Sequence, residues 1–273
     1  MKLIKPVAPL LIFIPLIAYI PISIEIIKEF HIGGINIIFQ FITSAIKPSL
    51  NILVVRSAWE GLQITIAAAL TSWVISMFIG IFLGVLSTDL FWKSMPNFSF
   101  LGKFIKYSLA VPRSIHEVIW GILFIQIFGL NIWVAIISIV VPYSAITARV
   151  ISEQLDSFDI QPLIALQQTG ANSMSSFITI IFPKLMPILS NYGSYRLECA
   201  IRGATLLGIF GLGGIGTELY LTLKSMEFRE MWTCLWMLWF VIISLEKLIR
   251  FIRTNFYSNI DFKKSILTTI SIS

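Results

Sequence analysis

Five charged side chains stand inside runs of residues that are otherwise apolar, and they are the chain's candidates for chemistry. Arg113 and Glu117 are four residues apart, Glu198 and Arg202 are four apart, and Arg196 lies just before the second pair. Residues at that spacing share one helix face, so each acid can neutralise its own arginine. A charge at the bilayer centre costs about 2.5 to 3.5 kcal/mol on insertion scales, and such residues therefore face a bundle interior or water. Two roles stay open for them: ion pairs that fix the bundle, or, for Arg113 or Arg202, cations along an anion pathway.

Other motifs exclude more than they assign. Gly211, Gly213 and Gly216 satisfy GxGxxG, but a dinucleotide fingerprint needs a preceding strand in a βαβ unit, and here an apolar span precedes it. No GxxxxGK[ST] occurs, so ATP is not bound by a P-loop in this chain. Gly208, Gly211, Gly213, Gly214 and Gly216 fit either an irregular backbone buried at membrane depth or a flexible loop. His31 and His116 are isolated, and Cys199 and Cys234 form no CxxC, so neither a metal centre nor a disulfide framework is implied.

The elements that must position these residues are membrane helices. Hydrophobic residues make up 57% of the chain and charged ones 12%, with a mean hydropathy of +0.88, which excludes a soluble globule. The 273 residues allow about six helical spans of roughly 20 residues. The first is the apolar N-terminus, bent at Pro15, which Pro9, Pro15 and Pro21 distinguish from a cleaved signal. Ile35 to Ile46 is too short to cross and reads as an interfacial helix on the outer face. The later spans are Trp59 to Leu86, Tyr107 to Phe128, Ile132 to Ala148, Leu185 to Phe210 and Met231 to Leu245. Within the second, Gly80 and Gly84 form a GxxxG pair suited to close helix packing.

Charge sets the orientation. Lys93, Lys103 and Lys106 face Asp89 alone, and the tail carries Lys247, Arg250, Arg253, Lys263 and Lys264 against Glu246 and Asp261. The basic excess places both termini in the cytoplasm, and it accounts for the net charge of +6 without nucleic acid as a partner. The central loop is the exception, with Arg149 and Lys184 against Glu153, Asp156 and Asp159; a docking surface or chance would explain its acidity.

That loop, Pro162 to Pro187, is the most organised polar stretch. Pro162 suits a first helical position, Ala165 to Thr169 are good helix formers, and Gly170 supplies a stop. The result is a short exposed helix of roughly 12 Å. A turn over Asn172 to Ser176 and a second apolar run from Phe177, meeting Pro183 and Pro187, follow it. An ordinary loop between two membrane helices is the plain alternative.

The spacing resembles the EAA loop of bacterial ABC-importer permeases: Glu-Ala-Ala, three residues, Gly, nine residues, Ile-any-Leu-Pro. Ala165 and Leu166 stand at the two alanines, Gly170 at the glycine, Ile180 at the isoleucine and Pro183 at the proline, while Ile164 replaces the Glu and Phe182 the Leu. The resemblance implies a coupling helix seated in a groove of an ATP-hydrolysing subunit. Three further stretches are similar to phosphonate-type permeases of the methionine-importer-like superfamily. They are Arg113 to Phe124, with Arg113, Glu117 and Trp120 on family positions and His116 where the family has Pro; Thr169 to Ala171; and Ile201 to Gly216, with Arg202, Ala204, Thr205, Leu207, Gly208 and Gly213 to Gly216 on family positions.

This resemblance covers roughly Ser57 to Leu248. It implies an all-α integral membrane protein of the type I ABC importer permease fold, with residues 1–56, 57–248 and 249–273 as N-terminal, transmembrane and tail regions. The chain would carry out no catalysis and move phosphonate, phosphite or phosphate inward; methionine or another small organic ion is the alternative cargo. ATP and Mg would sit on a dimeric ATP-binding subunit, a periplasmic or lipid-anchored receptor would deliver the cargo, and two copies of the permease would form the pathway in a bacterial cytoplasmic membrane. Arg113, Glu117, Arg202, Thr205, Gly208, Gly211, Gly213, Gly214 and Gly216 are the residues expected along it. A secondary transporter fits less well, because no internal repeat is visible and Glu117 and Glu198 each have an arginine four away.

Overall fold

The computed structural model of the chain describes residues 32–92, 99–159 and 161–270, together with positions 19 and 21. The expected first span and its bend at Pro15 lie outside the described residues. The chain divides into two compact units, residues 1–48 and 49–273. In the first, α1 (Ile32–Ser44) exposes Ile35, Ile38, Phe39 and Ile42. Its 13 residues span about 20 Å, short of the roughly 30 Å hydrocarbon core.

The second unit runs α2 (Ile52–Ser87), α3 (Asp89–Trp92), α4 (Ser99–Ser108), α5 (Ala110–Ser114), α6 (Glu117–Phe128), α7 (Ile132–Asp156), α8 (Gln161–Gln168), α9 (Ser173–Leu207), a π turn (Gly208–Leu212), α10 (Ile215–Lys224) and α11 (Phe228–Ile270). It starts at Ser49 because that residue is tied to the last helix: Ser49 N donates to Arg229 O at 3.0 Å and accepts at its carbonyl from Thr233 Oγ1 at 2.7 Å. Asn51 then caps α2 by accepting from Leu53 N at 3.1 Å.

Helices α2, α7 and the Phe228–Phe251 part of α11 are each long and apolar enough to cross a membrane, and two bent helix pairs bring the total to as many as five spans among the described residues. The centre of the bundle is the α2–α7 contact. Helix α2 buries a stripe of small residues, Ala58, Gly61, Thr65, Ala69, Ser72, Ser76, Gly80 and Gly84 among them, spaced three or four apart. A Cβ at Gly80 would lie 2.5 Å from Thr147 Cβ, and one at Gly84 would lie 2.8 Å from Ile151 Cβ. The GxxxG pair therefore serves packing within the chain. Around it, Val134, Ile139 and Tyr143 of α7 meet Leu197, Ile201 and Leu207 of α9, while Phe78, Phe82, Ile127, Trp239 and Phe240 are exposed on the outer faces, as lipid contact requires.

Two spans differ from the sequence expectation. The expected third span, Tyr107 to Phe128, is broken: Phe100–Ser114 and Glu117–Phe128 meet at 86°. Ile115 and His116 are extended there, and His116 caps α6 by accepting from Val118 N at its Nδ1. Polar capping atoms and an extended dipeptide end a helix that hydropathy alone would continue. The expected fifth span, from Leu185, begins twelve residues earlier at Ser173. The anticipated Asn172–Ser176 turn is already the first helical turn, with Ser176 N and Oγ both donating to Asn172 O. Pro183 and Pro187 lie inside this helix without ending it, which neighbouring packing permits in membrane helices. Helix α11 likewise runs beyond Leu245, so the tail continues it to Ile270.

Replacing Gly84 with Val is expected to push α2 away from α7 and to cost about 1–3 kcal/mol, typical of overpacking a tight contact. The check is the thermal unfolding midpoint of the purified protein in detergent; an unchanged midpoint would show that the contact yields freely.

Candidate functional site

The polar loop between α7 and α9 is built as one piece. Asp159 Oδ1 accepts from Gln161 N at 3.0 Å and starts α8 one residue before Pro162. At the other end, Gly170 N donates to Gln167 O at 3.0 Å, and Gly170 takes φ +92°, a value that L side chains adopt only under strain. Helix α8 buries Leu163 and leaves Pro162 and Ala165 exposed, with Leu166 half-buried. At its return, Ile181 and Leu185 of α9 pack with Ile151 and Leu155 of α7, Ile180 lies against the same cluster and Pro183 stays exposed.

The acids that made this loop an exception are engaged by the chain itself. Arg149 and Glu153 pair at 2.6 Å, and Asp159 caps α8. Asp156, at the C-terminal end of α7, accepts from the Thr88 hydroxyl, from Asp89 N at 3.1 Å and from Lys106 Nζ at 3.1 Å. One carboxylate thus ties the end of α2, the start of α3 and helix α4 to the root of the loop.

The membrane charges are arranged differently from their spacing. Glu198 and Arg202 pair across one turn of α9, as expected. Arg113 and Glu117 do not: the helix breaks between them, and no described acid pairs with Arg113, which is half-buried at the bend. Glu117, 9% exposed, accepts instead from the Tyr143 hydroxyl at 3.4 Å and sits against Gly203, where a Cβ would come within 3.3 Å of Oε1. His116 Nδ1 lies 3.4 Å from Glu117 Oε2, but that nitrogen accepts the α6 cap bond, so the contact is not an ion pair. Arg196, which its spacing left without a role, is 9% exposed, stacks over the Tyr143 ring at 4.7 Å and donates from Nε to the Tyr192 hydroxyl at 2.7 Å. Tyr192 is four residues before it, so half of this arrangement is visible in the sequence; Tyr143 comes from another helix.

The glycine stretch is a fixed knot rather than a flexible loop. Gly211, Gly213 and Gly214 take φ values of +87°, +92° and +87°, and a side chain at Gly208 would meet the carbonyl of Gly213 at 2.6 Å. Thr65 of α2 holds it from outside, donating to Gly61 O and accepting from Ile215 N at 2.9 Å. Thr217 Oγ1 closes it by donating to Gly208 O at 2.9 Å. Thr205, Gly208, Gly214 and Gly216 are buried in this packing, whereas Gly211 and Arg202 are exposed.

Residues 76–261 match the family described as the binding-protein-dependent transport system inner membrane component. The chain belongs to that family. It is therefore a multi-pass membrane subunit of a transport system, not an enzyme, and it works with an ATP-binding subunit and a substrate-binding protein. The permease is 29% identical over 99 residues to PhnE2 of Escherichia coli (strain K12), named for a cryptic phosphonate transport system; the match covers 36% of this chain and 80% of that protein. It is 28% identical over 118 residues to the phosphite transport system permease protein PtxC of Stutzerimonas stutzeri, covering 43% of each. It is 22% identical over 146 residues to the phosphate-import permease protein PhnE of Mycolicibacterium smegmatis (strain ATCC 700084 / mc(2)155), covering 54% of this chain and 27% of that one. The matched stretch is thus less than half the length of the last two relatives. In fold, the permease is similar to a chain of the MetNI methionine ABC transporter in an inward-facing conformation, with TM-score 0.61 and 21% identity over 74% of this chain and 95% of that one.

Asp156→Ala in the permease is expected to loosen the joint at the root of the loop and speed amide hydrogen exchange across residues 88–108, whereas Asp159→Ala should affect α8 alone. Exchange measured by mass spectrometry on the two variants checks this, and equal protection of residues 88–108 in both would remove Asp156 from its tying role.

Proposed function

We propose that the permease moves a phosphorus oxyanion, phosphonate, phosphite or phosphate, into the cytoplasm at the expense of ATP hydrolysed by its partner. The observation that carries the substrate class is the similarity to three relatives named for transport of these anions. The likeness to the methionine transporter is one of fold and carries no substrate. ATP and Mg belong to the ATP-binding subunit, both termini face the cytoplasm, and two copies of this chain form the pathway.

The coupling role falls to α8. Its exposed face carries Gln161, Pro162, Ile164, Ala165 and Gln168 and no charge, which suits insertion into a groove of the ATP-binding subunit. Two connections lead from it into the membrane. Through Asp156 it is joined to α2 and α4, and through α9 it is joined to the charged turns, because Ser173 and Arg202 belong to one helix. From Ser173 to Arg202 is about 44 Å along the helix axis. A shift of α8 on ATP binding is therefore passed along α9, through Pro183 and Pro187, towards its charged part. ATP-driven closure needs only different free energies for inward- and outward-facing arrangements. Of the residues expected along the pathway, Arg113, Arg202, Gly211 and Gly213 offer surface in this conformation.

Two experiments test the proposal. In proteoliposomes holding the permease with its ATP-binding subunit and receptor, phosphite or methylphosphonate should raise ATPase activity and methionine should not; stimulation by methionine alone would overturn the substrate. Gly170→Pro, which cannot adopt φ +92°, and Ala165→Asp, which places a charge on the docking face, should leave insertion intact and ATPase activity present while uptake falls roughly tenfold or more. Normal coupled uptake in both variants would remove α8 from coupling.

A further inference from the structure

Arg113, Arg196 and Arg202 differ in what neutralises them. Arg202 is already paired with Glu198, and Arg113 stands at the broken helix end. Arg196 is buried at 9% exposure, yet among the described residues no carboxylate forms an ion pair with it. Its guanidinium lies between rings instead, 4.7 Å from the centre of Tyr143, 5.3 Å from Tyr192 and 6.0 Å from Tyr195. Among the described residues, Nε alone has a hydrogen-bond partner, the Tyr192 hydroxyl.

A guanidinium carries five N–H donors. The four on the two terminal nitrogens have no partner among the described residues, and neither nitrogen belongs to the fully enclosed unsatisfied atoms, which are Thr147 Oγ1 and Ser152 Oγ. Glu117 accepts from the hydroxyl of Tyr143, whose ring the cation stacks on, and so balances it only through that ring. Leaving a buried cation without an acid and with unused donors is costly, and replacing it by an apolar side chain would normally be cheaper. A tyrosine cage recovers part of that cost through cation–π attraction while leaving the terminal edge free.

A cavity of about 260 Å³ lies beside the cage, between α9 and α11. Tyr195 lines it and also faces the guanidinium, and Ser194 and Asn191 add neutral polar groups. The acids of its wall each have an arginine one turn on: Glu198 pairs with Arg202, and Glu246 precedes Arg250 by four residues. From these observations we propose that Arg196 is the cation that meets the transported oxyanion at membrane depth, with its terminal N–H groups binding two oxygens of the tetrahedral anion side by side. The inference rests on the oxyanion reading of the substrate. Tyr143, Tyr192 and Tyr195 hold the charge between transport events, and movement of α9 relative to α7 uncovers it. Planar, bidentate donation explains why the position carries arginine and not lysine.

The test uses the intact complex with its ATP-binding subunit and receptor in proteoliposomes, in a background with Cys199→Ala and Cys234→Ala. Phosphite uptake by that parent establishes the substrate class; if it carries no phosphorus oxyanion, the underlying reading fails and this inference fails with it. Where the parent transports, Arg196→Gln and Arg196→Cys should assemble with normal yield. Their uptake should fall roughly ten- to hundredfold, as loss of a charge-assisted hydrogen bond implies, and Arg196→Lys should keep an intermediate rate. Modifying the Arg196→Cys variant with an ethylammonium thiosulfonate during ATP turnover should return uptake, and the neutral methyl reagent should not. Full uptake by Arg196→Gln, equal uptake with either reagent, or a thiol that never reacts during turnover would each overturn the assignment. If Arg196→Gln and Arg196→Cys both fail to assemble while Arg196→Lys transports as the parent does, the arginine is structural and the inference is likewise overturned.

Discussion

The contact between α2 and α7 is the constraint on which the rest of the bundle depends. Between membrane helices, lipid is as apolar as the side chains, so association comes from close packing and hydrogen bonds rather than from exclusion of water. Gly80 and Gly84 let Thr147 and Ile151 approach the α2 backbone, and Ser72 bridges toward Ile136 O from the same stripe. Further along, the same face of α2 reaches the glycine knot through Gly61 and Thr65. One helix face thereby fixes both the helix that leads into the polar loop and the turn that ends α9.

Neutralisation at membrane depth follows two patterns, and they separate structure from opportunity. The Glu198–Arg202 pair is solved within one helix and depends on nothing beyond α9. The Glu117, Tyr143 and Arg196 group is solved across three helices, α6, α7 and α9, with an aromatic ring between the charges. An arrangement that joins three helices through neutral rings is open to rearrangement when one of them moves, whereas a direct buried ion pair would resist it.

The polar loop gains its rigidity from the same economy. Acids that might have formed an open docking surface are consumed in capping α8, pairing with Arg149 and tying α2, α3 and α4 to the end of α7. What remains exposed on α8 is an uncharged face, with Gln161, Pro162, Ile164 and Gln168 around Ala165. That agrees with Ile164 standing where the importer pattern has Glu: docking through shape survives the loss of that charge.

Composition and local spacing determined a great deal. Long continuous apolar runs mark membrane helices rather than the alternating strands of a barrel, because lipid satisfies no backbone groups and each run must satisfy its own; the Ala165-to-Pro183 spacing identified the loop, and Gly80 with Gly84 identified a packing face. The Glu198–Arg202 pair was legible too, since both residues lie on one helical turn. Tertiary structure alone decided the rest. The break at Ile115 and His116 separated Arg113 from Glu117, and hydropathy could not show it because the residues on both sides are apolar. Passage of α9 through Pro183 and Pro187 is set by its packing in the bundle, which local sequence does not show. That Arg196 stacks on a ring instead of pairing with an acid depended on Tyr143, 53 positions away in the chain and placed beside it only by the packing of α7 on α9. Local sequence fixes what one helix can do for itself, and partners drawn from different helices are set by packing.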